Sequence, residues 1–377
     1  MKRTLLTFLP IAAALLLATS CSKDTDDNII VNNPAPVETQ KDASPAEPKT
    51  VPFSIDVVPG GSLSKIAYAD NGTTVTVKFE EADITAGLTM SVTDGTHSTT
   101  LTLTAVDVDG KGTFTGSWSE GEEPSDGAEI TATVAYNSSS TVVNSTESVQ
   151  KLMETCAHTY KGTFNYQTSS GNSVTLTDDR AYIEFSLAEE GQKKVSVNGE
   201  WYDVDQTTHK AYVAVEGNTE VTTRIKGKKT LKAGKIYTIT CTDVIDLGLS
   251  VLWCTSNATD EHFNFSIACD KYKAANDKGY RLPTKDEYDK LLAVTPSDGW
   301  TTENETNGWK FSNDYGSVFF PAAGLGDGTD AGSVGNYWSG ESYDDSNAYG
   351  MGFSAYGANV GNAVGTYECS VRLVRGL

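Results

Sequence analysis

The feature that most limits what this chain can fold into is a two-residue alternation that recurs through its first two thirds. Thr74–Phe79, Thr100–Ala105, Ile130–Val134, Tyr182–Phe185 and Tyr212–Val215 each switch between apolar and small or polar residues at every step. Side chains of a strand point alternately to opposite faces, so such runs suit half-buried strands with threonine outward. The dipeptides Asn71-Gly72, Asp94-Gly95, Asp109-Gly110, Ser170-Gly171 and Asn198-Gly199 lie between the runs and supply hairpin chemistry. Many short strands at this spacing predict one or two β-sandwiches. The polar run Asn137–Ser140, followed by Glu147–Met153, marks an internal boundary. It gives a first sandwich over 51–150 and a second over 151–243.

The amino terminus reads as an export signal over residues 1–20. Lys2 and Arg3 precede an apolar run from Leu5 to Leu17, too short to span a membrane. No second run approaches spanning length. Residues 21–50 carry Pro34, Pro36, Pro45 and Pro48 among polar residues, the composition of a disordered tether. The formal net charge of −21 argues against nucleic acid or an anionic bilayer as partner. Loss of Lys2 and Arg3 with the signal makes the balance more acidic still.

From Val244 onward the chain is denser in Gly, Asn and Tyr. Thr284-Lys285-Asp286-Glu287 predicts a helix opened by a capping box, with Tyr288, Leu291 and Leu292 on its apolar face. A second helix is expected over Ile267–Asp277, stopped by Gly279. Trp253, Trp338 and Leu373 are expected in the core, with Arg281 and Arg372 holding loops through carbonyls or carboxylates. The segment Gly340–Glu368 is read as a long binding loop. Its candidate ligand contacts are Tyr343, Asp344, Asp345, Asn347, Tyr349, Tyr356, Asn359 and Asn362. Tyrosine offers a rigid ring with a polar tip, and asparagine adaptable hydrogen bonds.

Catalytic and metal signals are weak. His97, His158, His209 and His262 are scattered, without zinc-site spacing, and each is expected on the surface or in a loop. Asp327, Asp330, Glu341, Asp344 and Asp345 could hold calcium, which takes oxygen ligands. No cofactor is otherwise expected, and the chain is not read as an enzyme. Beyond Cys21 there are five cysteines. Cys156 with Cys241 and Cys254 with Cys369 are conceivable pairs, although spacing does not give connectivity.

Four resemblances sharpen this reading. Leu17-Ala18-Thr19-Ser20-Cys21 resembles a lipobox, with Ala18 where Leu, Val or Ile is usual, and implies lipidation at Cys21. The acidic stretch Ser22–Asp27 resembles the surface-export signal of lipoproteins from gut-type Gram-negative anaerobes. Together they imply an outer-membrane protein facing the exterior, attached to the membrane through its N-terminal lipid only. Gly112–Gly116, Ala181–Phe185, Ala211–Val215 and Leu231–Thr240 resemble fimbrillin-like proteins, whose shaft subunits polymerise by strand exchange after proteolysis. Fimbrial subunits are therefore one class of partner.

Asp246–Trp253, Gly279–Tyr288, Phe320–Gly324, Asn336–Ser339 and Ser370–Arg375 resemble the Fibrobacter succinogenes major paralogous domain, a C-type lectin-like fold, over 244–377. The expected architecture is thus mainly β: N-terminal fimbrillin-like sandwiches, then an α+β lectin-like domain. The implied function is a surface adhesin or receptor for a protein or glycan ligand, the alternative being a structural or tip subunit of a fimbria. Some relatives of this layout are targets of diversity-generating retroelements, and the Asn, Tyr and Ser content near the C-terminus is compatible with that. The Glu-Pro-Asn or Gln-Pro-Asp triplet of calcium-dependent sugar lectins is missing. Arg281–Thr284 is shared with formylglycine-generating enzymes, but Cys369 stands without the second terminal cysteine their chemistry needs.

Overall fold

The computed structural model describes residues 50–57, 73, 74, 79, 81–168, 171–187, 191–294 and 299–377. The expected signal, Cys21 and the expected tether up to residue 49 lie outside the described residues, as does most of the expected strand at 74–79.

Eight strands form the first sheet, in the order Thr177–Asp178, His158–Asn165, Glu129–Tyr136, Thr89–Thr93, Ser98–Val106, Gly112–Ser119, Thr50–Val57, Asn172–Val174. Its two edge strands are joined through Val174 to Thr177, a reach of about 10 Å at most. The sheet must therefore roll over on itself. Met90, Val92, Leu101, Leu103, Ile130, Ala132 and Val134 are buried within it, around Phe114 and Trp118. Thr100, Thr102 and Thr104 between them are exposed, as period-two alternation requires. His158 departs from its expected surface position. It is buried, with its ring stacked on Tyr136 at 5.5 Å, because its strand pairs with Glu129–Tyr136 inside the sheet.

A five-stranded sheet follows, in the order Thr73–Thr74, Lys235–Cys241, Arg180–Leu187, Lys210–Glu216, Asn144–Ser145. It packs on a four-stranded sheet built from Lys194–Val197, Glu200–Asp203, Thr219–Thr223 and Gly227–Leu231, with Ile183, Phe185, Val195, Val213 and Val221 between the layers. Sheet membership thus changes more than once, and the chain leaves the first sheet for good at Arg180. Strands of 158–178 belong to the first sheet, while 73–74 and 144–145 pair into the second. Such exchanges depend on partners far away in sequence, which local turn signals do not reveal.

The two central strands are also more buried than alternation alone implies. Ala181–Phe185 and Ala211–Val215 are buried on both faces. The helix Val149–Thr155 supplies the second cover, placing Leu152 and Cys156 against Tyr182, Tyr212 and Ala214. Asn198 and Gly199, at φ 52° and 87°, form the two-residue turn expected of their sequence.

In the C-terminal region Val251–Cys254 pairs antiparallel with Val374–Gly376, so its start and end meet. Two three-stranded antiparallel sheets follow. One is Trp300–Glu303, Thr306–Ser312 and Ser317–Pro321; the other is Val334–Ser342, Asn347–Ser354 and Gly357–Val364. Trp253, Tyr288, Phe311, Phe320, Tyr337 and Met351 fill the core between them. The helix Lys285–Ala293 carries the expected capping box. The Thr284 hydroxyl accepts from Glu287 N–H at 3.2 Å, and the Glu287 carboxylate accepts from Thr284 N–H at 2.8 Å.

The other helix is Phe265–Tyr272, earlier and shorter than the expected 267–277. Asn264 caps it by accepting from Ile267 N–H at 3.0 Å. Beyond it, Asn276 folds the chain into a turn by accepting from Lys278 and Tyr280 N–H groups at 2.9 and 3.0 Å. Trp253 and Trp338 are core residues, as their motifs suggested.

The second sandwich and this region are joined through Gln192. Its side-chain oxygen accepts from Asp246 N–H at 2.8 Å, and its amide donates to the Asp246 and Tyr315 carbonyls at 2.9 and 3.1 Å.

Candidate functional site

The segment 340–368 is not a long loop. It holds two hairpins of the last sheet, with turns at 343–346 and 355–356. Sequence alone suggested a loop because Gly350, Gly352, Gly357 and Gly361 weaken the strand signal. Backbone pairing with Val334–Ser342 overrides that local preference.

This regularity separates the candidate residues. Tyr343 lies at one end of the sheet and is 54% exposed. Tyr356 is fully exposed at the opposite turn, 100% by area. The strand Asn347–Ser354 that joins these ends has 8 residues, roughly 25 Å at 3.3 Å per residue. Tyr349 and Asn362 are opposite one another in register. Asn359 is opposite Gly352, on the reverse face, because Gly352 is an odd number of residues from Tyr349. A single ligand surface cannot take in all eight.

What does converge is the end that carries Tyr343. Its ring meets Tyr349 edge-on, with centroids 5.3 Å apart and planes at 89°. Lys285 holds its ammonium over the Tyr349 ring at 5.7 Å and pairs with Asp289 at 2.6 Å. The Glu341 carboxylate accepts from Lys285 N–H at 2.9 Å, so it satisfies one free donor of the helix start. The aromatic pair is thereby fastened to a helix terminus. Glu341 was a calcium candidate in the sequence; its role toward Lys285 is invisible there, because 56 positions separate the two.

Asp344 and Asn347 build the turn. The Asp344 carboxylate accepts from Ser346 and Asn347 N–H groups, each at 2.8 Å, and from the Asn347 side-chain amide at 2.9 Å. The Ser346 backbone bond, followed by the Asn347 bonds, holds its pKa below the ordinary carboxylate value. Asp345 is exposed at the tip. Tyr367, 51% exposed, follows the last strand and donates its N–H to Val364 at 2.9 Å. Among the described residues, no three His, Cys, Asp or Glu side chains come together as a metal site.

The cysteine pairs considered from sequence are not formed. Cys156, Cys241, Cys254, Cys269 and Cys369 are all free thiols.

A sizeable cavity lies elsewhere. A cleft of about 890 Å³ separates Leu187 and Thr242 of the second sandwich from Asn257, Lys310, Phe319 and Arg372. Nothing in the spacing of these residues marks them as neighbours.

Residues 297–374 match a family described as Domain of unknown function (DUF8237). This stretch contains the Tyr343–Tyr349 hairpin, Lys310 and Arg372. No curated protein matches the chain in sequence. Several solved structures align with it, three of them from Bacteroides. A protein of Bacteroides uniformis, provisionally described as a cell adhesion protein, is 13% identical over 51% of this chain and 93% of its own, with a TM-score of 0.24. A Bacteroides fragilis protein of the same description is 13% identical over 55% of this chain and 100% of its own, at 0.23. A fimbrial protein of Bacteroides ovatus is 11% identical over 82% of this chain and 100% of its own, at 0.21.

Proposed function

We propose that the chain is a surface lipoprotein, anchored in the outer membrane through Cys21, that acts as an adhesin or receptor. In this reading residues 21–50 are the tether, the strand-rich part to about residue 243 is a fimbrillin-like stalk, and 244–377 is a C-type lectin-like head. The ligand is a protein or a glycan, and it is held by contact, without catalysis.

The observation that carries the reading is the aromatic pair formed by exposed Tyr343 and half-buried Tyr349. It stands on a paired strand next to a capped helix, with Lys285 behind it. Aromatic rings held in this way give contact area at little entropic cost.

The test is an array of glycans and host proteins probed with the full chain. Tyr343→Ala with Tyr349→Ala is expected to remove binding and leave the unfolding midpoint unchanged. Tyr356→Ala, at the far end of the sheet, is expected to bind as the parent does. Binding that survives the double change would place the contact elsewhere.

A second reading, a structural or tip subunit of a fimbria, draws on the position of Thr50–Val57. That strand pairs antiparallel with Gly112–Ser119 and parallel with Asn172–Val174. Its removal would leave two backbone edges open to a strand from another copy. Limited proteolysis followed by size-exclusion chromatography separates the readings: assembly after loss of Thr50–Val57 favours the subunit, and a persistent monomer the adhesin.

A further inference from the structure

The cleft at the junction has an unusual floor. Arg372 is 1% exposed and lines it. The guanidinium donates to Asn257 Oδ1 at 3.0 Å, to the Cys254 carbonyl at 2.8 Å and to the Phe319 carbonyl at 2.9 Å. All three acceptors are neutral, as is the Tyr337 hydroxyl beside it. The Phe320 ring closes one face at 4.5 Å. Among the described residues, no carboxylate forms an ion pair with Arg372. Buried cations are ordinarily paired, because their desolvation is only partly repaid by neutral dipoles.

Further basic groups face the same space. Lys310 lines the cleft, paired with Glu303 at 2.6 Å. Lys193 lines an adjoining cavity of about 480 Å³ that shares Gly191, Glu303, Lys310 and Ser317 with it. Among the described residues, Arg372, Lys310 and, in the adjoining cavity, Lys193 stand against Glu303 and the exposed Asp260, a small positive excess in a chain of net charge −21. The remaining polar wall is hydroxyl and amide, including Ser256, Asn257 and Thr306, and Phe319 adds an aromatic surface. The volume lies within the range of small-ligand sites, roughly 300–1,000 Å³.

We propose that this cleft is a second binding site, for a saccharide that carries a carboxylate, such as a uronic or sialic acid. The carboxylate lies toward Arg372 and Lys310, the sugar hydroxyls meet the Ser, Thr and Asn wall, and a sugar face lies on Phe319. An anion there supplies the counter-charge that Arg372 lacks, and a guanidinium suits a carboxylate geometrically. The site is independent of the Tyr343–Tyr349 surface.

The test uses the full chain, with trigalacturonate and N-acetylneuraminic acid as probes, by saturation-transfer NMR and calorimetry. Glutarate and the methyl ester of each sugar separate a simple carboxylate from an acidic sugar. Arg372→Met removes three core hydrogen bonds and is expected to destabilise the fold, so the decision rests on Lys310→Glu and Ser256→Trp. An acidic sugar should bind at least tenfold more tightly than its ester and than glutarate. Lys310→Glu should weaken it at least tenfold, Ser256→Trp should abolish it, and Tyr343→Ala with Tyr349→Ala should leave it unchanged. Failure of both acids to bind, equal binding of the esters or of glutarate, or full binding by Ser256→Trp would overturn the proposal.

Discussion

The Asp246 carboxylate, 1% exposed, receives two hydrogen bonds from the Arg224 guanidinium, at 2.8 and 3.1 Å. Arg224 belongs to the second sandwich and Asp246 opens the C-terminal region, so the pair locks the two together. Arg224 also donates to the Leu249 carbonyl and lies over the Trp201 ring, which itself packs on Tyr315 at 4.3 Å. Removing one partner of a buried pair leaves the other charge uncompensated, at a cost of about 3–5 kcal/mol. Asp246→Ala should fall at the lower end of that range, because Arg224 keeps partial solvent access. Arg224→Met with Asp246→Leu should cost less than Asp246→Ala alone. Urea unfolding measures both, and a single change within about 0.5 kcal/mol of the parent would remove the locking role.

The capped helix predicts a pH dependence. Burial pushes the Glu287 pKa up, but the Arg281 guanidinium, at 2.6 and 2.8 Å, and the Thr284 N–H together outweigh it, and the net shift is downward. A carboxylate lowered in the folded state contributes stability above its unfolded pKa, near 4.5. That contribution is lost as pH falls through the lower folded value. The parent should therefore lose more stability than Glu287→Gln on acidification below about pH 4.5. Equal acid limbs in the two unfolding curves would contradict this. Thr284→Ala should cost about 1 kcal/mol at neutral pH, through loss of the cap.

A strained turn offers a stabilising change. Asn304 and Glu305 both have positive φ, 47° and 64°, between the paired strands Trp300–Glu303 and Thr306–Ser312. A two-residue turn of this kind favours glycine at its second position. A non-glycine residue there carries about 1 kcal/mol of strain. Glu305→Gly should raise stability by about 0.5–1 kcal/mol in chemical denaturation, whereas Gly199→Ala in the matching Asn198-Gly199 turn should lower it.

Thiol labelling tests the burial of the cysteines. Burial pushes Cys254 and Cys369 up to about 12 and also raises Cys156 and Cys241. Cys269 is raised by burial too, but it sits half-buried on the helix Phe265–Tyr272. Iodoacetamide at pH 8 should mark Cys269 first, the half-buried Cys254 more slowly, and the buried Cys156, Cys241 and Cys369 only after urea is added. Peptide mapping reads the order. Rapid native labelling of Cys254 or Cys369 would contradict the packing described.

Much of the local structure is legible in the residue order. Leu101 and Leu103 alternate with outward threonines because strand geometry repeats every two residues. Thr284 and Glu287 open a helix because their spacing matches the free donors of its first turn. Asn198-Gly199 turns because both residues tolerate positive φ. Each rule acts within a few residues, so the sequence by itself determined where the strands around Leu101, Ala132, Ile183 and Val213, the Asn198-Gly199 turn and the capped helix would lie.

Only the tertiary structure decided which strands share a sheet, and hence that the chain leaves the first sheet for good at Arg180. It turned the glycine-rich segment after Gly340 into hairpins that part Tyr343 from Tyr356. It also set Glu341 against Lys285 and brought Arg372, Lys310 and Phe319 around one cleft. These relations join residues far apart in sequence, and they follow from long-range backbone pairing and burial, for which no short-range periodicity leaves a mark.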